Sequence, residues 1–79
     1  MRIDKFLKVS RLIKRRTIAK EVCDAGKVRV NGKVVKAGHE VSVGDRIDIQ
    51  WGSRALNIEV LEVRENVAAK DAATLYREV

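Results

Sequence analysis

The residues in this sequence that could do chemistry are lysines and arginines, and most of them lie in the first half of the chain. Residues 1–36 hold 12 Lys and Arg against 3 Asp and Glu, whereas residues 37–79 hold 5 against 8. The formal net charge of +6 therefore divides into +9 and −3. Because a surface that only keeps a protein soluble intersperses its charges, this one-sided pattern predicts a polyanionic partner, with nucleic acid favoured over a membrane surface.

Phosphate groups are the expected targets of these cations. Arginine presents a planar fork of donors that matches a phosphate, so the principal contacts are expected from Arg2, Arg11, Arg15 and Arg16. Lysines supply weaker and more exchangeable charge, and those expected to contribute are Lys5, Lys8, Lys14, Lys20, Lys27 and Lys33. Residues 14–16 lie at the predicted start of a helix, where the positive end of the helix dipole makes cations unfavourable in the free protein. When a phosphate binds, these cations and the N–H groups of the helix start together form an anion site.

Other reactive residue types do not assemble into a site. One cysteine, Cys23, and one histidine, His39, cannot form an internal disulfide or a zinc site by themselves, and no short motif for nucleotide binding or catalysis is present. Asp4 is interpreted as a helix cap and as an orienter of neighbouring arginines. The alternative to an RNA contact for Arg16 is that it pairs with Asp4 or is only solvated at the start of the helix. The three aromatic residues are too far apart for a base-stacking sheet, and Trp51 is expected to be a core or edge residue. No catalytic residue, metal or cofactor is therefore expected.

Length and hydropathy limit the architecture and the location. A chain of 79 residues accommodates one domain, predicted to have a core over about residues 1–63 and a C-terminal helical extension over about 66–79. No apolar run approaches the length of a membrane span, and the opening Met1-Arg2-Ile3-Asp4 does not resemble a signal peptide. We therefore expect no membrane partner and a cytoplasmic protein.

Two helices are predicted to carry the cations. The first is capped by Asp4 and turns an apolar side inward; its inward positions are Phe6, Leu7, Val9, Ser10 and Ile13. The second runs from about Arg16 to Ala25 and ends at Gly26; its inward positions are Ile18, Ala19, Val22 and Cys23.

After Gly26 the apolar period changes to two, which predicts a small antiparallel sheet. Lys27–Val30 and Lys33–Lys36 flank Asn31-Gly32, the strongest short hairpin signal. Further strands are predicted at Arg46–Trp51 and Leu56–Val63, with a bulge where the apolar phase slips at Val60-Leu61. From Asn66, the predicted N-cap, an apolar stripe predicts a short terminal helix. The fold class is α+β.

The first half of the chain resembles the S-four-type RNA-binding domain. The matching segments are Arg16-Thr17-Ile18-Ala19, Gly26-Lys27-Val28-Arg29-Val30-Asn31-Gly32 and Gly44-Asp45-Arg46-Ile47. Together they cover Met1 to about Ile49, although Arg15 stands where the wider family has a capping serine. The resemblance implies the alpha-L fold, with two N-terminal helices packed on a small antiparallel sheet, and it adds Thr17 to the expected RNA-binding residues.

Within that superfamily, residues 1–17 and 72–76 closely resemble the short stand-alone bacterial proteins of the RqcP or YabO family, which are related to heat-shock protein fifteen. The resemblance implies a monomeric, ribosome-associated factor of quality control that binds the large ribosomal subunit carrying peptidyl-tRNA. It further implies contacts with ribosomal RNA and tRNA, and support of alanine tailing beside a larger tailing factor.

Two other interpretations stay open. One is a general structured-RNA-binding protein, or a ribosome-recycling or translation regulator of the heat-shock-protein-fifteen type. The other is an enzyme, because such domains also accompany pseudouridine synthases and tyrosyl-tRNA synthetases. There a separate domain does the chemistry, and we expect this chain not to be an enzyme.

Overall fold

Two helices and a five-stranded sheet share one core in the computed structural model, which describes residues 1–79. The helices are α1 (Ile3–Val9) and α2 (Arg16–Asp24), and a 3₁₀ helix spans Ala69–Leu75. The strands are β1 (Val28–Val30), β2 (Lys33–Val34), β3 (Arg46–Trp51), β4 (Arg54–Val60) and β5 (Tyr76–Glu78). All neighbours are antiparallel in the order β2-β1-β3-β4-β5, which confirms the α+β class and the helices packed on a small sheet.

Helix α1 is shorter than its apolar pattern suggests, and the predicted Asp4 cap is wrong. The N-cap is Arg2, whose backbone is extended, and Asp4 lies inside the first turn with 2% of its surface exposed. The helix ends at Val9 because Arg11 takes a left-handed conformation, with φ 66°. The Arg11 N–H bonds to the Lys8 carbonyl at 3.1 Å instead of continuing the helical ladder.

Helix α2 follows its prediction closely and ends in a Schellman motif. Gly26, with φ 79°, donates its N–H to the Cys23 carbonyl at 3.0 Å, and Lys27 donates to the Val22 carbonyl at 3.2 Å. Ala19 and Cys23 are fully buried, but Ile18, predicted to point inward, is 37% exposed. The inward stripe of this helix is therefore narrower than its sequence suggests.

The sheet places its apolar residues on the face that packs against the helices. In β3, Ile47 and Ile49 are 0% and 1% exposed, and they share the core with Phe6 and Leu7 of α1. The β1–β2 turn holds Asn31 at φ 52° and Gly32 at φ 85°, the two positive angles of a type I′ turn.

Strand β4 starts at Arg54 and ends at Val60, not at Leu56 and Val63. Just beyond it, the N–H groups of Leu61 and Glu62 both donate to the Leu75 carbonyl, at 2.8 and 3.2 Å, so that two residues face one as in a β-bulge.

The predicted short C-terminal helix is confirmed as a 3₁₀ helix, which covers less of the segment than expected and is followed by a strand. The 3₁₀ helix begins after Ala68 rather than at Asn66, and the chain then extends into β5, which pairs with β4 through Val60 and Tyr76. Leu75 is fully buried and packs in the core. The residues after it, Tyr76–Glu78, add the edge strand to the sheet. The segment contains three alanines, so a longer helix here would bury little apolar surface. Pairing of the last residues with β4 is therefore favoured over continuation of the helix.

Candidate nucleic-acid interface

The turn between α1 and α2, residues 10–15, presents cations on an anchored backbone. We call it the basic turn. Its side chains Arg11, Lys14 and Arg15 are exposed and form no ion pair within the chain. Ile13 is 3% exposed in the core, and the buried Ser10 hydroxyl donates to the Leu7 carbonyl at 3.2 Å. The turn therefore holds uncompensated positive charge on a backbone that the core fixes, an arrangement suited to an anionic ligand.

A buried carboxylate at the start of α1 holds two of the predicted arginines together. Asp4 Oδ2 accepts from Arg2 Nη2 at 3.3 Å, and Asp4 Oδ1 accepts from Arg16 Nη2 at 3.4 Å. The Asp4 side chain is 3% exposed, whereas those of Arg2 and Arg16 are 49% and 48% exposed. Each guanidinium has five N–H donors, so most of them face solvent and stay available to a phosphate. Asp4 thus orients both forks, while its own charge is buried behind them.

The N-terminus of α2 adds backbone donors beside these side chains. Its N-cap is Arg15, whose side chain makes no capping hydrogen bond, and its first turn contains no acidic residue. The first backbone N–H to find a helical acceptor is that of Ala19, which donates to the Arg15 carbonyl at 3.0 Å. The exposed Thr17 lies in this first turn. Free N–H groups and adjacent guanidinium groups together form the environment that a phosphate prefers.

The lysines of α1 differ from one another in their surroundings. Lys5 and Lys8 are half-buried one turn apart, and Lys5 forms an ion pair with Glu65 from the C-terminal half of the chain. The hydrogen bond from Lys5, together with the charge of this lysine, lowers the pKa of the Glu65 carboxyl. Lys8 has no such partner, so its positive charge is the less compensated of the two.

The remaining predicted lysines are not all gathered at the basic turn. Lys20 is exposed on α2. Lys27 lies with Arg29 and Asp48 in a polar groove of about 200 Å³ on the sheet. Lys33 belongs to β2 and lines a different groove beside the I′ turn. Lys27 and Lys33 therefore flank the sheet and lie outside the cluster that Asp4 organises.

Two exposed residues of this surface, Arg29 and Trp51, are not among the RNA-binding residues predicted from the sequence. Arg29 is exposed at the centre of β1, where the strict alternation of Lys27-Val28-Arg29-Val30 already places it on the solvent face. Trp51 is 38% exposed at the end of β3, and it shares a groove with Ile18 and the basic turn. No sequence signal distinguishes an exposed terminal tryptophan from a buried one, because the strand pattern is the same.

The structure also defines the other reactive groups. Burial, followed by the charges of Asp4 and Asp24, raises the pKa of the Cys23 thiol to about 11. His39 is exposed in the loop after β2. No cluster of three or more metal-ligating side chains occurs, and the helices are all too short and too polar to cross a membrane.

Comparison with known proteins defines the class of this fold and surface. A family model described as the S4 domain matches residues 1–47, so the chain contains this domain over more than half of its length. The solved structure of trimeric heat shock protein 15 from Vibrio cholerae superposes with a TM-score of 0.92 at 31% identity, covering 100% of this chain and 81% of that one. The solution structure of hypothetical protein HP1423 gives a TM-score of 0.85 at 36% identity, covering 100% and 96%.

Curated relatives narrow the class further. RQC P-site tRNA stabilizing factor from Halalkalibacterium halodurans is 55% identical over 76 residues, which are 96% of this chain and 86% of the relative. The protein of the same name from Bacillus subtilis is 46% identical, covering 96% and 88%. A heat shock protein 15 homolog from Aeromonas salmonicida is 35% identical, and this chain spans 60% of its length. The chain belongs to the S4-domain family of RQC P-site tRNA stabilizing factors.

Proposed function

We propose that this chain is an RNA-binding factor of bacterial ribosome-associated quality control, which stabilises tRNA in the ribosomal P site. Its relatives carry that function in their name, and they align over 96% of the chain. The structural observation that carries the proposal is the pairing of Arg2 and Arg16 on the buried Asp4 carboxylate, beside the unpaired cations of the basic turn. Such a surface binds phosphates through fixed forks and needs no catalytic group.

The finer assignment follows the same surface. We propose that it contacts large-subunit ribosomal RNA as well as the peptidyl-tRNA, and that the bound factor supports alanine tailing beside a larger tailing factor. Arg2, Arg11, Arg15 and Arg16 make the principal contacts, with Thr17 and the lysines Lys5, Lys8, Lys14, Lys20, Lys27 and Lys33 around them. The protein acts as a monomer in the cytoplasm, bound to ribosomes.

Fixed arginine forks suit a structured RNA junction. A-form helices expose phosphates and 2′-hydroxyl groups more readily than base edges, so a binder of folded RNA depends on the spacing of its cations. Arg2 and Arg16 hydrogen-bond to the same carboxylate. The basic turn, which leads directly to Arg16, contains no acidic residue. Holding a tRNA in place then requires only that these contacts form together, since no covalent step is involved.

A second candidate is a general structured-RNA-binding or ribosome-recycling factor of the heat-shock-protein-15 type. The fold similarity at a TM-score of 0.92 favours it, although this chain spans 81% of that structure and 60% of the curated homolog. Such a factor would bind free structured RNA about as tightly as large subunits that carry peptidyl-tRNA. Only the quality-control factor requires the tRNA for tight binding.

Co-sedimentation with defined ribosomal particles distinguishes the two candidates. Purified protein is mixed with large subunits that carry peptidyl-tRNA, with empty large subunits and with free tRNA. We expect strong recovery with the first alone, and loss of recovery in the double variant Arg15→Gln/Arg16→Gln. The matched control, Arg64→Gln/Lys70→Gln, removes the same charge from exposed, unpaired cations of the C-terminal half and should sediment like the wild type. Equal recovery with free tRNA would favour the second candidate.

Alanine tailing is tested separately in a reconstituted reaction that contains the larger tailing factor and alanyl-tRNA. We expect the length of the alanine tail on the stalled chain to fall in the Arg15→Gln/Arg16→Gln variant and to stay unchanged in the control. Binding to the particles without any effect of the protein on tail length would place it at another rescue step.

Salt dependence checks that the arginines act on phosphates. Removing one arginine that neutralises a phosphate should lower the slope of log affinity against log salt by roughly 0.7 to 0.9. We therefore expect such a decrease for Arg11→Gln, Arg15→Gln and Arg16→Gln measured singly. An unchanged slope with weaker binding would show that the substituted arginine acts through the fold.

A further inference from the structure

An apolar groove with a cationic rim adjoins the phosphate-binding turn. It has a volume of about 400 Å³ and is lined by Leu12, Ile13, Lys14, Arg15, Ile18 and Trp51. Two of its residues are large hydrophobic side chains left open to solvent, since Ile18 is 37% and Trp51 is 38% exposed. No carboxylate contributes to the lining. The groove therefore combines an apolar floor with positive charge.

Trp51 is placed in this groove by the end of the β3–β4 hairpin. It is the last residue of β3, pairs with Arg54 across the sheet and precedes the two-residue loop Gly52-Ser53. Trp51 is not part of the hydrophobic core, to which β3 contributes Ile47 and Ile49 earlier in the strand. Core packing therefore does not account for its position. The indole is therefore placed by the paired end of the hairpin, and it lines the same groove as Lys14 and Arg15 of the basic turn.

We propose that this groove binds an unpaired nucleobase of the RNA, stacked on the Trp51 indole, with the flanking phosphates on Lys14 and Arg15. This inference rests on the proposed RNA-binding function and adds a base contact to a surface that otherwise binds phosphates. A nucleotide has a flat, weakly polar base attached to an anionic phosphate, which matches an apolar floor beside two cations. An apolar protein segment would match the floor alone and leave the rim without a partner.

The stacking contact accepts any base, because each base offers a π face to an aromatic side chain. The groove therefore favours RNA in which a base is flipped out of its helix, and it does not select a sequence. A second groove beside Trp51 holds one cation and one carboxylate, Arg54 and Glu78, so its charges offset each other and it is less suited to a phosphate. The base is expected on the side of Lys14 and Arg15.

Intrinsic fluorescence gives a direct test, because Trp51 is the sole tryptophan of the chain. The probes are an RNA hairpin with one bulged nucleotide and the same hairpin with an abasic residue at the bulge. We expect the intact bulge to quench Trp51 fluorescence and the abasic hairpin to quench it far less. Equal quenching by both hairpins, or by neither while both bind, would overturn the groove proposal.

Affinity measurements on variants provide the second readout. Trp51→Ala should weaken binding to the intact bulge by roughly 5- to 150-fold, the range for loss of one base-aromatic stack, and leave the abasic hairpin almost unaffected. Its salt slope should match that of the wild type, because every phosphate-binding cation is retained. Trp51→Phe should recover most of the affinity, and Val43→Ala, an exposed hydrophobic residue outside the groove, serves as the control.

The outcomes separate this proposal from the proposed function. Wild-type affinity of Trp51→Ala for both hairpins, with binding still lost in Arg15→Gln/Arg16→Gln, would overturn the nucleobase groove and leave the RNA-binding function intact. A wild-type protein that binds large subunits carrying peptidyl-tRNA but neither hairpin would overturn the groove alone, and one that binds none of these would overturn both. Because the quenching experiment uses the unaltered chain, it decides the groove even if Trp51→Ala folds poorly.

Discussion

At the scale of single residues, Asp4 shows how a buried acid can orient the arginines of the proposed RNA-binding surface. Its carboxylate is covered by the chain, yet it accepts hydrogen bonds from two arginines whose outer donors stay in solvent. A negative charge beneath a phosphate site lowers the local potential, but it also fixes the guanidinium groups. Both guanidinium groups lie within hydrogen-bond distance of the carboxylate, at 3.3 and 3.4 Å, so we expect the orienting effect to dominate.

Substitution of Asp4 by asparagine separates these two effects. Asp4→Asn raises the net charge by one, so electrostatics alone would tighten RNA binding. We expect weaker binding, roughly two- to tenfold for each arginine released, because immobilising a long side chain costs about 0.5 to 1.5 kcal/mol. Co-sedimentation with large subunits that carry peptidyl-tRNA, over a range of concentrations, measures the change. Glu21→Gln makes the same charge change at an exposed residue without an ion pair, and it should bind at least as tightly as the wild type. Tighter binding by Asp4→Asn would contradict the orienting role.

Cys23 gives a second residue-scale prediction, about pH. Burial raises the pKa of its thiol from 9.0 to about 11, so the fold favours the neutral thiol. This contribution to the free energy of unfolding is complete below pH 9 and is lost as the pH rises towards 11. Urea unfolding across this range should therefore show a steeper alkaline loss of stability in the wild type than in Cys23→Ala. Thiol reagents should modify folded Cys23 slowly at neutral pH, and parallel pH profiles for the two proteins would refute the assignment.

At the scale of elements, the β1–β2 hairpin depends on backbone conformation more than on side-chain packing. Gly32 has φ 85°, and a Cβ added there would meet no atom within 4 Å. The cost of replacing it is thus conformational, and Gly32→Val should destabilise the protein by about 1 kcal/mol or more. Gly38 also lies in open space but lacks a positive φ, so Gly38→Val is the matched control and should cost much less. Equal melting temperatures for the two variants would argue against the I′ turn.

Local sequence signals predict some of these elements better than others. The Asn31-Gly32 turn and strand β3 follow their patterns, since a period of two and a turn dipeptide are read over a few residues. Helix α1 ends early, at Val9, because Arg11 takes a left-handed conformation. The sequence does not predict this end, since the left-handed residue is not a glycine. Strand β5 also escapes prediction. Its pairing with β4 depends on distant residues, whereas its composition resembles a helix.

The candidate site, like the secondary structure, could be predicted only in part from the sequence. The charge asymmetry and the 14–16 run indicate the basic turn, and Asp4 is predicted to orient neighbouring arginines. Spacing cannot show that Arg2 and Arg16 share its carboxylate, because Arg16 belongs to the next helix. The exposure of Trp51 depends on where the hairpin ends relative to α2, which is a tertiary property.

At the scale of the whole molecule, the basic N-terminal half and the acidic C-terminal half are joined by one core. Its fifteen buried hydrophobic residues include Ile3 near the start of the chain and Leu75 near its end. Strand β5 also hydrogen-bonds to β4, and Lys5 pairs with Glu65 across the two halves. We therefore expect the interface of the first half to depend on the packing of the last residues, and the chain to unfold as a single unit.

Leu75→Ala tests this dependence. Removing a fully buried leucine should lower the free energy of unfolding by about 2 to 5 kcal/mol. If the chain is one cooperative unit, the unfolding curves followed by Trp51 fluorescence and by far-ultraviolet circular dichroism should shift together, although Trp51 lies in a different strand hairpin. Leu61→Ala, at a residue 40% exposed just after β4, should cost well under about 1 kcal/mol. A C-terminal extension that folds independently would instead leave the Trp51 transition of Leu75→Ala at its wild-type position, because the helices and β1–β4 would then be stable without it.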